Sequence, residues 1–281
     1  MADEALPSRL AGLVAMSSGD PRLDTLIRLT CGRALLLPPL PTEVDLIDGA
    51  SDRDAVVAAF AEQFAVDVAG IGQNQRARFV DALGENAFRT VVAIFIADFV
   101  PRVWAGFEAI GMGKPGNGGT PDWDHDRDPI GVLLNDFVPA VARLRALDPV
   151  TTELVRLRGA AQHNCRLCKS RREGGALDAG GSESLYADIE DYRASAQLSE
   201  RHKAALLYVD ALIWTPSRID RDVVAGVREH FTEEEAFELT LDVMRNACNK
   251  IMVALGADAA QVSEGTELFR VDADGQTVVG A

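Results

Sequence analysis

Apolar residues along this chain recur mostly three and four positions apart, the spacing that gives an α-helix one buried face. No stretch of alternating apolar and polar residues, which is typical of a half-buried strand, interrupts these segments. The pattern therefore predicts an all-α protein folded as a helical bundle. The predicted helices cover residues 53–64, 86–110, 151–161, 185–192, 204–214 and 236–255.

The last of these helices has clear signals at both ends. Thr232 is followed three positions later by Glu235, a pairing in which each side chain caps a free backbone N–H group at a helix N-terminus. Gly256 follows the last apolar position, and glycine ends helices readily. We therefore expect a helix that begins after Thr232 and ends before Gly256.

Two segments depart from the helical pattern. Residues 112–135 begin with a run rich in glycine, proline and aspartate, which predicts a linker. Near the C-terminus, Glu267–Val271 and residues 277–279 flank Asp274-Gly275, a dipeptide typical of hairpin turns. The predicted organisation is a helical repeat at 1–111, this linker, a second helical domain at 136–260, and a tail at 261–281 containing a small β-hairpin.

The two helical halves also resemble each other. Charged residues at 52–54 precede one helix and residues 85–88 precede the next, and residues 200–202 and 234–237 repeat this arrangement. The offset between the copies is nearly constant, which indicates a duplicated helical unit. The chain would then be a pseudo-dimer in which only the second half contains a pair of cysteines.

Composition limits the classes of function. The chain has 281 residues, of which 47% are apolar and 25% charged, as in a soluble globular protein. Its formal net charge of -15 argues against nucleic acid or an anionic membrane as a general partner. The longest apolar run, residues 91–100, is too short to span a bilayer, and the N-terminus lacks the pattern of a signal peptide. We expect a cytoplasmic protein.

The strongest chemical signal is the pair Cys165 and Cys168. Two thiols three residues apart on a helix share one face and can form a disulfide, and neighbouring cations stabilise the reactive thiolate. Between residues 156 and 172 the sequence contains cations and no acid, so the pair is expected to be a redox or nucleophilic site. Cys31 and Cys248 stand alone and are expected to be small buried hydrophobes. The cations are Arg156, Arg158, Arg166, Lys169, Arg171 and Arg172.

Several spaced motifs together resemble a known family. Eleven residues lie between Glu153 and Cys165-Arg166-Leu167-Cys168, and polar motifs follow at 198–201, 230–235 and 246–249. This arrangement resembles the carboxymuconolactone decarboxylase-like superfamily, in particular its AhpD-like alkylhydroperoxidases. The resemblance covers about residues 147–257 and, more loosely, the first half of the chain.

The resemblance implies an all-helical fold and a thiol-dependent peroxidase without a metal or organic cofactor. Cys168 would attack a small organic hydroperoxide, and Cys165 would resolve the sulfenic acid to a disulfide. An external dithiol, such as a lipoyl or thioredoxin-type protein, would reduce that disulfide. Glu153 would belong to a proton relay, and the protein would be a homo-oligomer.

One position departs from the family pattern. The family has a histidine four residues after the second cysteine, one helical turn further along the same face, where this chain has Arg172. Arginine cannot accept a proton in proteins, but its charge can stabilise a thiolate. His163 is a candidate substitute base, although a residue at a helix end often bonds a backbone carbonyl or faces solvent. Glu153 could equally form a surface ion pair with Arg156.

Other readings stay open at this point. A non-redox enzyme of the same superfamily would generally lack the cysteine pair. A non-catalytic scaffold or binding protein would keep the fold and show ordinary thiol reactivity. Structural zinc normally has four closely spaced ligands, and Cys165, Cys168 and His163 offer three at most.

Overall fold

The computed structural model describes residues 6–46, 51–114 and 121–280. Residues 1–5 and 47–50 of the expected N-terminal repeat, residues 115–120 of the expected linker and Ala281 of the expected tail lie outside the described residues. The helices are α1 (Leu6–Val14), α2 (Pro21–Leu35), α3 (Asp52–Asp67), α4 (Gln73–Leu83), α5 (Ala87–Ile110), α6 (Val138–Ala142, continuing a π-helix at Gly131–Phe137), α7 (Pro149–Gln162), α8 (Arg166–Lys169), α9 (Gly174–Asp178), α10 (Glu183–Ala187), α11 (Glu200–Trp214), α12 (Arg221–His230), α13 (Glu233–Ala247) and α14 (Asn249–Leu255). The strands are β1 (Arg171–Glu173), β2 (Glu267–Val271) and β3 (Thr277–Val279).

Helix α5 lies at the centre of the bundle and is buried along most of its length. By length and composition, Gln73–Ile110 could cross a membrane, but 83% of its most apolar window is buried inside the protein. A helix that is apolar on all sides must be enclosed by its neighbours. One cluster of buried residues accordingly extends from Leu6 to Ala254 and includes side chains from both halves of the chain.

The predicted all-α fold is confirmed, with differences at particular elements. The capping box between Thr232 and Glu235 is present, and Gly256 ends α14 with a left-handed φ of 71°. Residues 236–255 form two helices rather than one, because the chain turns at Cys248 between α13 and α14. The helix expected at 185–192 is shorter, since α10 ends at Ala187 and turns follow.

The expected linker is not free of structure at its end. The π-helix at Gly131–Phe137 begins within the expected range 112–135, and the predicted boundary at residue 136 falls inside that helix. The segments expected to be copies of one unit are helical in both halves, at α3 and α5 and at α11 and α13. The duplication itself stays a prediction.

The predicted C-terminal hairpin is confirmed, with strands β2 and β3 at the expected positions. Strand β1, directly after α8, was not predicted. It pairs in parallel with β2, and Arg171, Arg172 and Glu173 lie opposite Glu267, Leu268 and Phe269. The tail therefore contributes two of the three strands of a small sheet, and the third strand, β1, follows the cysteine pair in the sequence.

A buried ion cluster connects α5 to the rest of the core. The Asp98 carboxylate accepts hydrogen bonds from Arg102 Nε at 2.8 Å and from Lys250 Nζ at 2.5 Å. Arg102 also donates to the carbonyls of Ile213 and Ala65, on α11 and α3. All three charged side chains are at most 4% exposed, so each cation depends on Asp98 for compensation.

Replacing Asp98 with alanine would leave two buried cations without a counter-charge. We expect Asp98→Ala to lower the free energy of unfolding by about 3–5 kcal/mol, measured by urea denaturation. Glu200→Ala, which removes an exposed partner of Lys203, is the control and should cost less than about 1 kcal/mol. A loss from Asp98→Ala no larger than that of the control would contradict this account of the core.

Candidate functional site

The end of α7 directs the chain into the cysteine pair. Asn164 has a left-handed φ of 52°, a conformation that asparagine tolerates better than most residues. The Asn164 N–H group donates to the carbonyl of Ala161 at 3.1 Å, and the Cys165 N–H group to that of Ala160 at 2.9 Å. These two bonds form a Schellman motif, which ends the helix and turns the chain toward the core. Cys165 is thereby placed inside and not on the surface.

Cys165 and Cys168 form a disulfide, with their Cα atoms 5.3 Å apart. Cys165 is the N-cap of α8, and its Sγ accepts a hydrogen bond from the Cys168 N–H group at 3.2 Å. Cys165 is fully buried, whereas Cys168 is partly exposed at the edge of the core. A reagent from solvent therefore meets Cys168 first.

Glu153, which is buried, and Arg156, which is partly buried, form an ion pair next to the disulfide. Both guanidinium nitrogens of the fork, Nε and Nη2, donate to the Glu153 carboxylate at 2.6 Å. Arg156 also donates to the carbonyls of Cys168 at 2.9 Å and Arg171 at 2.7 Å. Glu153 is 1% exposed, so the expectation of a surface pair is wrong. The pair connects α7 with the turn that contains Cys168.

The prediction that Arg172 lies one helical turn after Cys168 on the same helix face is wrong. Helix α8 ends at Lys169, and Arg172 lies in β1 because the chain pairs with the C-terminal strand there. Its guanidinium donates to both carboxylate oxygens of Glu183 and to the carbonyls of Lys169 and Arg171. The charge of the Arg172 guanidinium is thus paired with the Glu183 carboxylate.

The other cations of the basic stretch are also engaged. Arg158 pairs with Asp210, and Lys169 donates to the side-chain oxygen of Asn164. Five of the six cations therefore form an ion pair with a carboxylate that lies outside residues 156–172. The remaining pairs are Arg156 with Glu153, Arg166 with Asp258, Arg171 with Glu267, and Arg172 with Glu183.

His163 is buried at the end of α7, and its side-chain hydrogen bond is to another side chain and not to a backbone carbonyl. Its Nδ1 lies 3.0 Å from Asn249 Oδ1, which as an acceptor selects the Nδ1–H tautomer. Its Nε2 is buried without a hydrogen-bond partner among the described residues. Burial and, to a smaller extent, the charge of Lys250 lower the pKa of His163 well below its ordinary value. His163 is therefore a neutral imidazole near neutral pH.

Asp258 is the residue at this site that the sequence did not indicate. Its carboxylate accepts from the backbone N–H of Arg166 at 2.9 Å and pairs with the guanidinium of the same residue at 2.7 Å. Its carbonyl accepts from the backbone N–H of Leu167 at 2.8 Å. The bonds to Arg166 hold the pKa of Asp258 below its usual range. No local motif could reveal this contact, because about 90 residues separate the partners.

A cavity of about 260 Å³ lies beside Glu153 and Arg156, between α7, α13 and β2. Glu238 and Asp242, one turn apart on α13, line it and are nearly fully buried. Burial and the neighbouring Asp242 raise the pKa of Glu238 to about 7. The Glu238 carboxylate accepts backbone N–H groups from Ala146 and Leu147. Glu238 can therefore hold a proton near neutral pH.

The two remaining cysteines are free thiols. Cys31 is fully buried, Cys248 is packed partly buried against the core, and burial raises the pKa of both thiols. In residues 6–46, 51–114 and 121–280, no group of three or more histidine, cysteine, aspartate or glutamate side chains is placed to hold a metal ion.

The fold and the site define an all-α protein with a Cys-x-x-Cys disulfide between a buried helix and a small C-terminal sheet. No family model matches the chain. The chain is 58% identical over 274 residues to the uncharacterized proteins Rv2313c and MT2376 of two Mycobacterium tuberculosis strains, covering 96% of each protein and of itself. It therefore belongs to the family of these mycobacterial proteins. A shorter match joins 38% of the chain to 60% of the uncharacterized protein YnjA of Escherichia coli K12, at 30% identity.

Removing Arg156 would leave the Glu153 carboxylate buried and unpaired. We expect Arg156→Ala to lower the free energy of unfolding by about 3–5 kcal/mol. The double variant Arg156→Ala/Glu153→Gln should recover part of this loss, because it removes the uncompensated charge. Urea denaturation measures both, and a double variant no more stable than Arg156→Ala would contradict the pairing.

Glu238 makes stability depend on pH. Between its ordinary pKa of 4.5 and about 7, the folded protein keeps a proton on Glu238 that the unfolded chain has lost. Stability from this group is therefore present at low pH and declines as pH rises through that window. We expect the unfolding free energy of Glu238→Gln, relative to the unmodified protein, to rise by on the order of 2 kcal/mol between pH 4.5 and 7.5. A pH-independent difference would contradict the assignment.

Proposed function

We propose that this protein is a thiol-dependent peroxidase that reduces small organic hydroperoxides through a cycle of the Cys165–Cys168 dithiol and disulfide. The observation that carries the proposal is the unequal placement of the two sulfur atoms. Cys168 is open to solvent at one side, while Cys165 is buried within bonding distance of it. This difference in access supports a scheme in which the accessible Cys168 attacks the substrate and the buried Cys165 attacks only Cys168.

The steps of the cycle balance as follows. The Cys168 thiolate attacks the distal oxygen of the hydroperoxide, the O–O bond breaks, and an alcohol leaves after taking a proton. The Cys165 sulfur then attacks the Cys168 sulfenic acid, the S–O bond breaks, and water leaves as the disulfide forms. An external dithiol returns two electrons and two protons by thiol–disulfide exchange, and becomes a disulfide itself.

The residues around the pair support particular parts of this cycle. The Cys168 N–H group, 3.2 Å from Cys165 Sγ, stabilises negative charge on that sulfur when the disulfide is opened. Arg156 fixes the Cys168 carbonyl and holds Glu153 within the same network. We assign to Glu153, or to water at the exposed side of Cys168, the acceptance of the thiol proton. Arg172 and His163 have no direct step in this scheme, because the first is committed to Glu183 and the second to Asn249.

The proposal is tested with reduced protein and cumene hydroperoxide, with dihydrolipoamide as the dithiol. We expect one hydroperoxide consumed per two thiols lost in a single turnover, and continued consumption when the dithiol is supplied. Cys168→Ser should lower turnover on the order of a thousandfold, because it removes the nucleophile. Cys165→Ser should react once and stop at a sulfenic acid that dimedone traps.

Cys31→Ser and Cys248→Ser are matched controls, because each removes a free thiol that is not part of the Cys165–Cys168 disulfide. They should leave turnover unchanged. Hydroperoxide loss no faster than with free cysteine, or loss that persists in Cys168→Ser, would contradict the proposal. The first of these results would favour a non-catalytic scaffold, whose thiols react like those of an unfolded peptide.

A further inference from the structure

The C-terminal segment, defined here as residues 258–280, attaches to the body of the protein at several places. Arg270 pairs with Asp178, and Arg143 donates to the carbonyl of Asp274. A further attachment is the turn between Cys165 and Cys168, called here the disulfide turn. The first residue of the segment, Asp258, accepts both backbone N–H groups that lie between the two cysteines, those of Arg166 and Leu167. The Glu267 N–H group donates to the carbonyl of Ser170 at 2.8 Å, and β2 then pairs with β1. The disulfide turn and the adjacent strand β1 therefore bind the first half of this segment through backbone hydrogen bonds.

The stretch between these two attachment points lies at the surface, where Arg171 donates to the side chain of Gln261. Residues 259–266 contain no helix or strand and are mostly exposed. Beyond it, the Phe269 ring lies under the guanidinium of Arg156, 5.2 Å from ring centroid to Cζ, and lines the cavity beside Glu153. The docked segment thus covers the Glu153–Arg156 pair.

We propose that the C-terminal segment is a redox-coupled strap, docked on the oxidised protein and released when the Cys165–Cys168 disulfide is reduced. The inference rests on the disulfide cycle of the proposed function, but not on hydroperoxide as its oxidant. In the oxidised protein the S–S bond closes a ring that holds the N–H groups of Arg166 and Leu167 toward Asp258. When a dithiol breaks that bond and leaves two thiols, these residues regain backbone freedom, and docking then requires ordering them again.

The coupling must be reciprocal. If the disulfide favours docking of the segment, a docked segment favours the disulfide by the same factor. Weakening the segment's attachment should therefore make the disulfide easier to reduce. Release would also uncover the Glu153–Arg156 pair and open the cavity beside it.

The first test measures the disulfide equilibrium of the full-length protein in buffers of reduced and oxidised dithiothreitol, by counting alkylated thiols with mass spectrometry. We expect Asp258→Ala to lower the equilibrium constant for disulfide formation about tenfold, a shift of the reduction potential of about 30 mV toward easier reduction. Asp258→Asn, which keeps the side chain's shape, should shift it less and in the same direction. Glu200→Ala, which removes an exposed carboxylate paired with Lys203, should stay within about twofold of the unmodified protein.

The second test compares hydrogen exchange of the oxidised and reduced proteins. Backbone amides of Glu267–Val271 should exchange at least about tenfold faster after reduction, while those of α5 keep their protection. Equal exchange of Glu267–Val271 in both forms, or an equilibrium constant unchanged in Asp258→Ala, would overturn the proposal. Faster exchange throughout α5 would also overturn it, because the disulfide would then stabilise the whole fold. Neither test uses hydroperoxide. The proposal about the C-terminal segment and the proposed peroxidase activity can therefore be contradicted independently of each other.

Discussion

The ion pair of Glu153 and Arg156 lies where α7, the disulfide turn and the C-terminal sheet meet. A carboxylate that is 1% exposed is tolerated only with a cation in close contact, and Arg156 supplies that cation through two short bonds. The same guanidinium fixes the carbonyls of Cys168 and Arg171 and stacks on Phe269. This charge pair thereby connects α7 to the turn that contains Cys168 and to the sheet residue Phe269 that lies against it.

The sequence predicts that the cations of residues 156–172 make the thiols reactive, and their ion pairs in the structure argue against that source. A cationic stretch on an acidic protein would activate a thiolate if its charges were free, but most of these cations face a carboxylate. What distinguishes the two cysteines is access and local hydrogen bonding. Cys168 lies at the edge of the core, and Cys165 lies inside it with an N–H group directed at its sulfur. The roles proposed for the two sulfurs follow from this difference.

Local patterns predicted α3, α5, α7, α11 and α13, because apolar spacing, the capping box at Thr232 and the glycine at 256 act within a few residues of one another. They did not predict α1, α2, α4 and α12. They also predicted the hairpin at Glu267–Val271, since its turn is encoded at Asp274. They failed at Arg172, where pairing with a strand almost a hundred residues away ended the helix that the motif spacing implied.

The partners of the basic stretch were hidden for the same reason. Asp258 and Glu267 are both distant in sequence from the arginines they bind. The spacing of apolar residues in one sequence does not predict contacts between such distant residues. The burial of Glu153 was also not readable, because the same spacing to Arg156 is common on exposed helix faces. The closeness of Cys165 and Cys168 was predictable from their spacing in the sequence, whereas their electrostatic surroundings required the fold.

The central claim is that Cys168 is the attacking sulfur and Cys165 the resolving one. It is tested most directly by brief alkylation of the fully reduced, folded protein with iodoacetamide, followed by mapping of the modified cysteine. The account predicts that Cys168 is modified at least about tenfold faster than Cys165, because thiol reactivity follows exposure and thiolate character. Equal modification of the two, or faster modification of Cys165, would contradict it.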